Sequence, residues 1–236
     1  MVNWEKGRDT MKQIPQPYEG TYRKAALKVP EAIYRCSGIM VFGKRIKSLV
    51  FSTDLSVIKN VNADAIIAVY PYTPQPVITQ ALLTAADIPV FVGVGGGLTK
   101  GLRMVNMAVF AEMQGAMGVV ANAPTALENL HMVSRAVDIP LISTVVRADT
   151  NFAARVESGV SMFNVSAAAQ TPEIVAEIRQ LYPDIPIIAT GGPTDETIAA
   201  TIDAGANAIT WTPPSSAEIF KGIMERYRNG LPYEEG

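Results

Sequence analysis

Polar side chains recur at regular spacing near the ends of apolar runs in this 236-residue chain. Ala63, Gly115, Gly159 and Gly205 each open such a run, and seven residues further on stand Tyr70, Asn122, Ser166 and Thr212. Two residues before these lie Ala68, Val120, Asn164 and Thr210, which share a strand face with them because side chains alternate. A hydroxyl or amide inside an apolar strand costs free energy unless it is satisfied. A ligand in a wet mouth would satisfy it, so Tyr70, Asn122, Asn164, Ser166, Thr210 and Thr212 are candidate pocket lining, with internal hydrogen bonding as the alternative. The ionisable groups near the same ends are few: Asp54, Lys100, Arg147 and Asp149. Asp54 or Lys100 is the candidate proton carrier, and Arg147 suits a phosphate or carboxylate through two parallel hydrogen bonds. Asp54 and Asp149 also stand where a helix N-cap belongs.

Other chemistries fail on residue type. The single histidine, His131, falls in a helical stretch from Ala126 to Val137, so Ser-His-Asp and Cys-His catalysis lack a base and a two-histidine zinc helix is impossible. The single cysteine, Cys36, can form no internal disulfide and reads as a buried small hydrophobe. The run Gly93-Val94-Gly95-Gly96-Gly97-Leu98-Thr99-Lys100 carries Leu98 where a dinucleotide fingerprint needs glycine, and Thr99 where a phosphate loop needs glycine before its lysine. It is either a tight loop with unusual backbone angles or a bare-backbone approach to an anion beside Lys100. No metal site is expected.

The elements that must position these residues are legible as eight apolar runs: Leu49 to Ser52, Ala65 to Tyr70, Ile88 to Gly93, Ala116 to Asn122, Ile139 to Thr144, Val160 to Ser166, Ile185 to Thr190 and Ala208 to Thr212. Asp-Ile-Pro opens three of them, at Asp87, Asp138 and Asp184. These alternate with the runs opened by a small residue. Helix-start signals lie between runs, at Thr73-Pro74, Thr125 with Glu128, Thr171-Pro172 and Ser215 with Glu218. Eight strands in a two-unit alternation predict a single (β/α)8 TIM barrel, an α/β fold whose chemistry sits at the C-terminal strand ends. Residues 48–236 are assigned to the barrel and residues 1–47 to an N-terminal helical extension capping its bottom, with Thr21 to Lys28 and Glu31 to Lys47 as helices or the latter hiding a strand. A doubly wound open sheet is the rival fold.

With 48% apolar residues, a net charge of -2 and no like-charge run, neither nucleic acid nor a membrane is an expected partner. A small anionic metabolite is, and a homo-oligomer is compatible with the sequence. No apolar signal core precedes Trp4-Glu5-Lys6, which implies a cytoplasmic protein.

The stretch Ile187-Ile188-Ala189-Thr190-Gly191-Gly192, followed by Ala204-Gly205-Ala206-Asn207-Ala208 and a strand ending at Thr212, resembles the phosphate-binding half of the ribulose-phosphate-binding barrel superfamily. That group includes the N-acetylmannosamine-6-phosphate epimerase and glycerol uptake operon antiterminator families. The resemblance covers residues 185–216 and implies that Gly191, Gly192, Thr212 and Ser216 hold a phosphate. The chain departs from it at Pro213 and Pro214, which remove amide donors, and at Asp195 and Glu196, which would repel the anion. The strand-six lysine of the aldolases is absent. The expected function is an enzyme of lyase, isomerase or hydrolase type on a small phosphorylated or carboxylated metabolite. The alternatives are a non-catalytic ligand sensor and a barrel binding FMN at the phosphate corner.

Overall fold

The computed structural model describes residues 15–16 and 27–231. After a 3-10 turn at Glu31–Arg35 come β1 (Ile39–Val41), β2 (Lys44–Ile46), β3 (Ser48–Phe51), α1 (Leu55–Lys59), β4 (Ala65–Ala68), α2 (Pro76–Ala85), β5 (Val90–Gly95), α3 (Gly101–Met113) and β6 (Gly118–Ala121). The second half runs α4 (Leu127–Ser134), β7 (Leu141–Val145), α5 (Phe152–Glu157), β8 (Met162–Val165), α6 (Thr171–Leu181), β9 (Ile187–Thr190), α7 (Asp195–Asp203), β10 (Ala208–Trp211) and α8 (Ser216–Arg228). Strands β3 to β10 form a closed, all-parallel barrel in sequence order, with β10 returning to pair with β3. The fold is the TIM barrel expected, and the open sheet is excluded.

Strands β5 to β9 begin two residues later than the apolar runs suggest, for a local reason. Each proline of the Asp-Ile-Pro openers lacks an N–H, and its carbonyl accepts the first ladder bond of the neighbouring strand instead. Ile66, Val119 and Phe163 donate to Pro89, Pro140 and Pro186 respectively. The Gly-Ala openers belong to helix ends, with Gly115, Gly159 and Gly205 at positive φ.

Alternation divides the strand residues between two cores. Leu49, Ala65, Ile67, Phe91, Val120, Ile142, Met162, Ile188 and Ala208 fill the barrel interior, while Val50, Ile66, Val92, Val119, Phe163 and Ile209 pack outward against the helices. Gly118 pairs in register with Phe91 on the adjacent strand, so a large ring is matched by a missing side chain.

The N-terminal region departs from the helical extension expected. Thr21 to Ala26 lie outside the described residues. Glu31 to Lys47 hold one 3-10 turn and an antiparallel hairpin of β1 and β2. Phe42 and Gly43, both at positive φ, make the two-residue loop that matches strand twist. Alternating Ile39 and Val41 with Ile46 join the interior cluster beneath Leu49. The period of two beat the helical reading there.

Below the barrel, Arg179 of α6 donates to the carbonyls of Pro183, Ile185 and Gly205 and to Asn207 Oδ1, tying α6 to the entrances of β9 and β10. Asp64 likewise accepts from the Lys47 and Ser48 amides at the entrance of β3. Anchors of this kind leave the opposite, C-terminal ends free for function.

A Cβ added at Gly118 would lie 2.8 Å from Phe91 Cδ1 and 3.0 Å from the Pro140 carbonyl. Gly118→Ala should therefore destabilise the barrel by about 1–3 kcal/mol in urea unfolding. Gly97→Ala, at a position with nothing within 4 Å, should leave stability within about 0.5 kcal/mol.

Candidate functional site at the barrel mouth

The interior-facing positions turn from apolar to polar at the C-terminal ends of the strands. Two residues beyond Ile142, Met162, Ile188 and Ala208 stand Thr144, Asn164, Thr190 and Thr210, on four consecutive strands. Thr144 pairs in register with Asn164, and Thr190 with Thr210. Ser166 follows directly after β8 and Asn122 directly after β6. The hydroxyls and amides thus form an arc over β6 to β10.

Part of this arc satisfies itself. Thr190 Oγ1 donates to Ser166 Oγ at 3.2 Å, and Asn164 Nδ2 approaches Thr144 Oγ1 at 3.4 Å. Within the arc two buried atoms have no partner among the described residues, Asn164 Oδ1 and Thr210 Oγ1. Leaving such an atom unsatisfied costs about 1–3 kcal/mol. Thr212 lies beyond it, exposed and with no hydrogen bond among the described residues.

On the opposite side of the mouth a cavity of about 370 Å³ is lined by Val69, Tyr70, Tyr72, Gly93, Gly97, Thr99 and Asn122, among others. The Tyr70 hydroxyl accepts from the Gln75 amide at 2.9 Å, so its proton remains available to donate. Asn122 is held by its backbone, donating to the Gly95 carbonyl. The next residue, Ala123, gives its carbonyl to Arg155, whose other nitrogen bonds Ser143 Oγ at 2.6 Å behind β7. Burial lowers the Arg155 pKa, yet the guanidinium is held by two acceptors and so positions the Asn122 loop.

Neither glycine cluster at the mouth is simply a ligand cradle. Gly96 has φ 123°, and a Cβ there would strike Thr125 Oγ1 at 2.1 Å. Gly95 has φ 140°, with the Thr99 carbonyl 2.7 Å from its would-be Cβ. Both are required by the loop. Gly97 is not, since nothing lies within 4 Å of it. After β9, Gly191 packs against Ile198 and Ile209, and Gly192 at φ 82° lies against Thr197.

The corner named by the resemblance is supplied with partners of its own. Thr194 and Thr197 form a capping box on α7, whose first turn carries Asp195 and Glu196. Ser215 and Glu218 box the start of α8. Asp54 caps α1, accepting from the Ser56 and Val57 amides, and its other oxygen takes the Ser216 hydroxyl. The protein's own carboxylate thus joins two helix N-termini there. The expected roles of Asp54 in proton transfer and of Ser216 in phosphate binding compete with this bond. The hydrogen bonds of Ser216 and Ser56 hold the Asp54 carboxyl below its ordinary pKa.

Arg147 is exposed and pairs with Asp149 through two bonds, 2.9 and 2.6 Å long. Asp149 is therefore not a cap; Asn151 fills that place on α5. Lys100 is exposed, and its backbone stands at the N-cap of α3, which no side chain caps. His131 is exposed on α4. Cys36 is buried, its thiol pushed up to about 11 by desolvation. Sequence reasoning did not single out Thr144, Thr190, Tyr72, Thr99 or Arg155 as site residues. The count from the openers that reaches Asn164 and Thr210 falls one residue short on the Asp-Ile-Pro strands, landing on Ser143 and Ala189 beside Thr144 and Thr190.

No protein-family model matches the chain, and no curated protein matches it in sequence. Solved structures do resemble it. Phosphoenolpyruvate phosphomutase from Streptomyces platensis subsp. rosaceus shares 12% identity at a TM-score of 0.59, over 78% of this chain and 83% of that one. Phosphonopyruvate hydrolase in complex with oxalate and Mg++ shares 13% at 0.60, over 79% and 84%. The 4-hydroxy-tetrahydrodipicolinate synthase of Methylacidiphilum fumariolicum SolV shares 14% at 0.57, over 80% and 75%. Such identities establish the TIM-barrel fold and do not single out the ribulose-phosphate-binding group. Among the described residues no group of three or more His, Cys, Asp or Glu side chains could hold a metal ion.

Because the folded-state pKa of Asp54 is depressed, its contribution is present above the ordinary aspartate pKa and is lost as pH falls through the lower, folded value. Asp54→Ala should cost about 1 kcal/mol at pH 7, and the difference from wild type should vanish below the folded pKa, under about pH 4. Urea unfolding of both proteins across this range checks it, and a difference independent of pH would refute the carboxylate's role.

Proposed function

We propose that the barrel is an enzyme of lyase, isomerase or hydrolase type acting on a small carboxylated or phosphorylated metabolite at its C-terminal mouth. The observation that carries this reading is the pair of buried, unpartnered atoms Asn164 Oδ1 and Thr210 Oγ1 on the interior face of β8 and β10. No described barrel strand carries Asp, Glu, Lys, Arg or His. An ion entering this well would be desolvated without a counter-charge, at a cost far above that of a neutral group. The well therefore takes an uncharged hydrogen-bonding part of the ligand, a hydroxyl, amide or carbonyl, and the ligand's charge stays at the rim.

Tyr70 is the group we assign to the chemistry. Its phenol lines the cavity with its acceptor side engaged by Gln75, an arrangement suited to donating a proton, or a hydrogen bond, to an oxygen that gains charge in the transition state. Asn122 and Asn164 orient the ligand from either side. The shared fold with a mutase, a hydrolase and a synthase supports an enzymatic reading without choosing among reactions. None of those three is described as a flavoprotein, and the FMN reading draws no support from them. A sensor is the second reading, favoured by the uncharged strands and by the engagement of Asp54 in a cap.

A panel of phosphorylated and carboxylated metabolites, scored for both binding and turnover, separates the two. For the enzyme, Tyr70→Phe should lower kcat by about tenfold to a hundredfold with KM little changed. For the sensor, compounds bind without turnover. In either case Asn164→Leu should abolish binding while keeping or raising stability, because an unsatisfied buried oxygen is removed. Intact binding in that variant would overturn the proposal.

A further inference from the structure

We infer that the start of α3 is the oxyanion subsite of the mouth, taking the phosphate or carboxylate end of the ligand; this rests on the reading of the mouth given above. Lys100, the N-cap residue of α3, makes no cap bond with its side chain, and the first turn carries no acidic residue. The helix's first amide, that of Gly101, is taken by Asn129 Oδ1 at 2.9 Å, leaving the following first-turn amides without a cap. The helix dipole and these donors favour an anion.

A second, independent observation points to a ligand at this place. Thr99 lines the 370 Å³ cavity, is 3% exposed, and its Oγ1 has no hydrogen-bond partner among the described residues. The cavity thus runs from Tyr70 to Thr99, two residues before the helix, whose hydroxyl is buried and without a partner among the described residues.

The rest of the loop fits the same assignment. Gly97 lines the cavity, and the fold does not require it to lack a side chain, since a Cβ there would meet nothing within 4 Å. A bare backbone at that point is what close approach of an anion needs. Lys100 follows, exposed and with no carboxylate within ion-pair distance among the described residues. Leu98, 95% exposed, and Tyr72, 76% exposed, flank the cavity from its two loops. The two corners named by the resemblance are otherwise occupied, that of α7 by its capping box and two acids and that of α8 by its own box and Asp54. Lys100 therefore holds charge here and does not carry the proton.

The test is an NMR titration of the full chain with inorganic phosphate and, separately, with oxalate, following assigned backbone amides. The anion that saturates at lower concentration identifies a phosphate or a carboxylate as the end recognised. Shifts centred on Gly97 to Arg103 are expected. Lys100→Met should weaken binding at least tenfold, Thr99→Val at least threefold, and Arg147→Met should have no effect. Gly97→Val should block the anion without lowering the melting temperature. Shifts centred on Gly191, Gly192 and Thr212, equal weakening by Arg147→Met, or no response to either anion would overturn the assignment. If metabolites still bind in an Asn164-dependent way after such a result, the mouth reading stands and only the anion subsite falls. Loss of both would remove the two together.

Discussion

Closure of the parallel sheet is the constraint from which the remaining features follow. Once β10 pairs with β3, every strand residue must face either the interior or the helices, and there is no edge on which a polar group can reach water sideways. Polar side chains on the inner face can reach solvent or a ligand only at an open end. The lower end is filled by Ile39, Val41 and Ile46 of the hairpin. The upper end is therefore the one place where Thr144, Asn164, Thr190 and Thr210 can stand, and two of them remain without a protein partner.

The same geometry separates positioning from chemistry. Charged groups used structurally lie outside the strands: Arg179 below, Arg155 behind β7, Asp54 between α1 and α8. No described barrel strand carries a charged residue, so on the proposed reading a neutral group enters the well and ionic recognition happens at the rim. Helix N-termini all converge on that rim, and the side chain at each start decides which of them is open. Thr194, Ser215, Asp54 and Asn151 close four of them, whereas α2, α3, α4 and α6 start without a cap bond from their N-cap side chains.

Much of the fold could be read from the sequence because a parallel strand covered on both faces is a continuous apolar run, and eight such runs admit few topologies. The polar arc was half legible. Counting from the small-residue openers reached Asn164 and Thr210 but not Thr144 and Thr190, since the interior face of the Asp-Ile-Pro strands is offset by one residue, starting at Ile142 and Ile188. Glu31 to Lys47 misled because a three-residue strand carries too few alternations to stand out from a helix, and the hairpin is betrayed only by the positive φ at Phe42 and Gly43. The side chains of Asp54 and Arg147 could not be assigned from spacing, because their partners Ser216 and Asp149 are set by tertiary contact or by rotamer choice. The glycines of the resemblance were real requirements of the chain, for packing at Gly191 and for backbone conformation at Gly192.

The central claim is that the uncharged well beneath the mouth receives a neutral part of a small ligand. A crystal structure of the protein with the tightest-binding compound of the metabolite panel tests it most directly. The account predicts a ligand atom within hydrogen-bond distance of both Asn164 Oδ1 and Thr210 Oγ1, with the ligand's charged end at the rim. A compound bound elsewhere on the barrel, or one whose charged group enters the well, would contradict it.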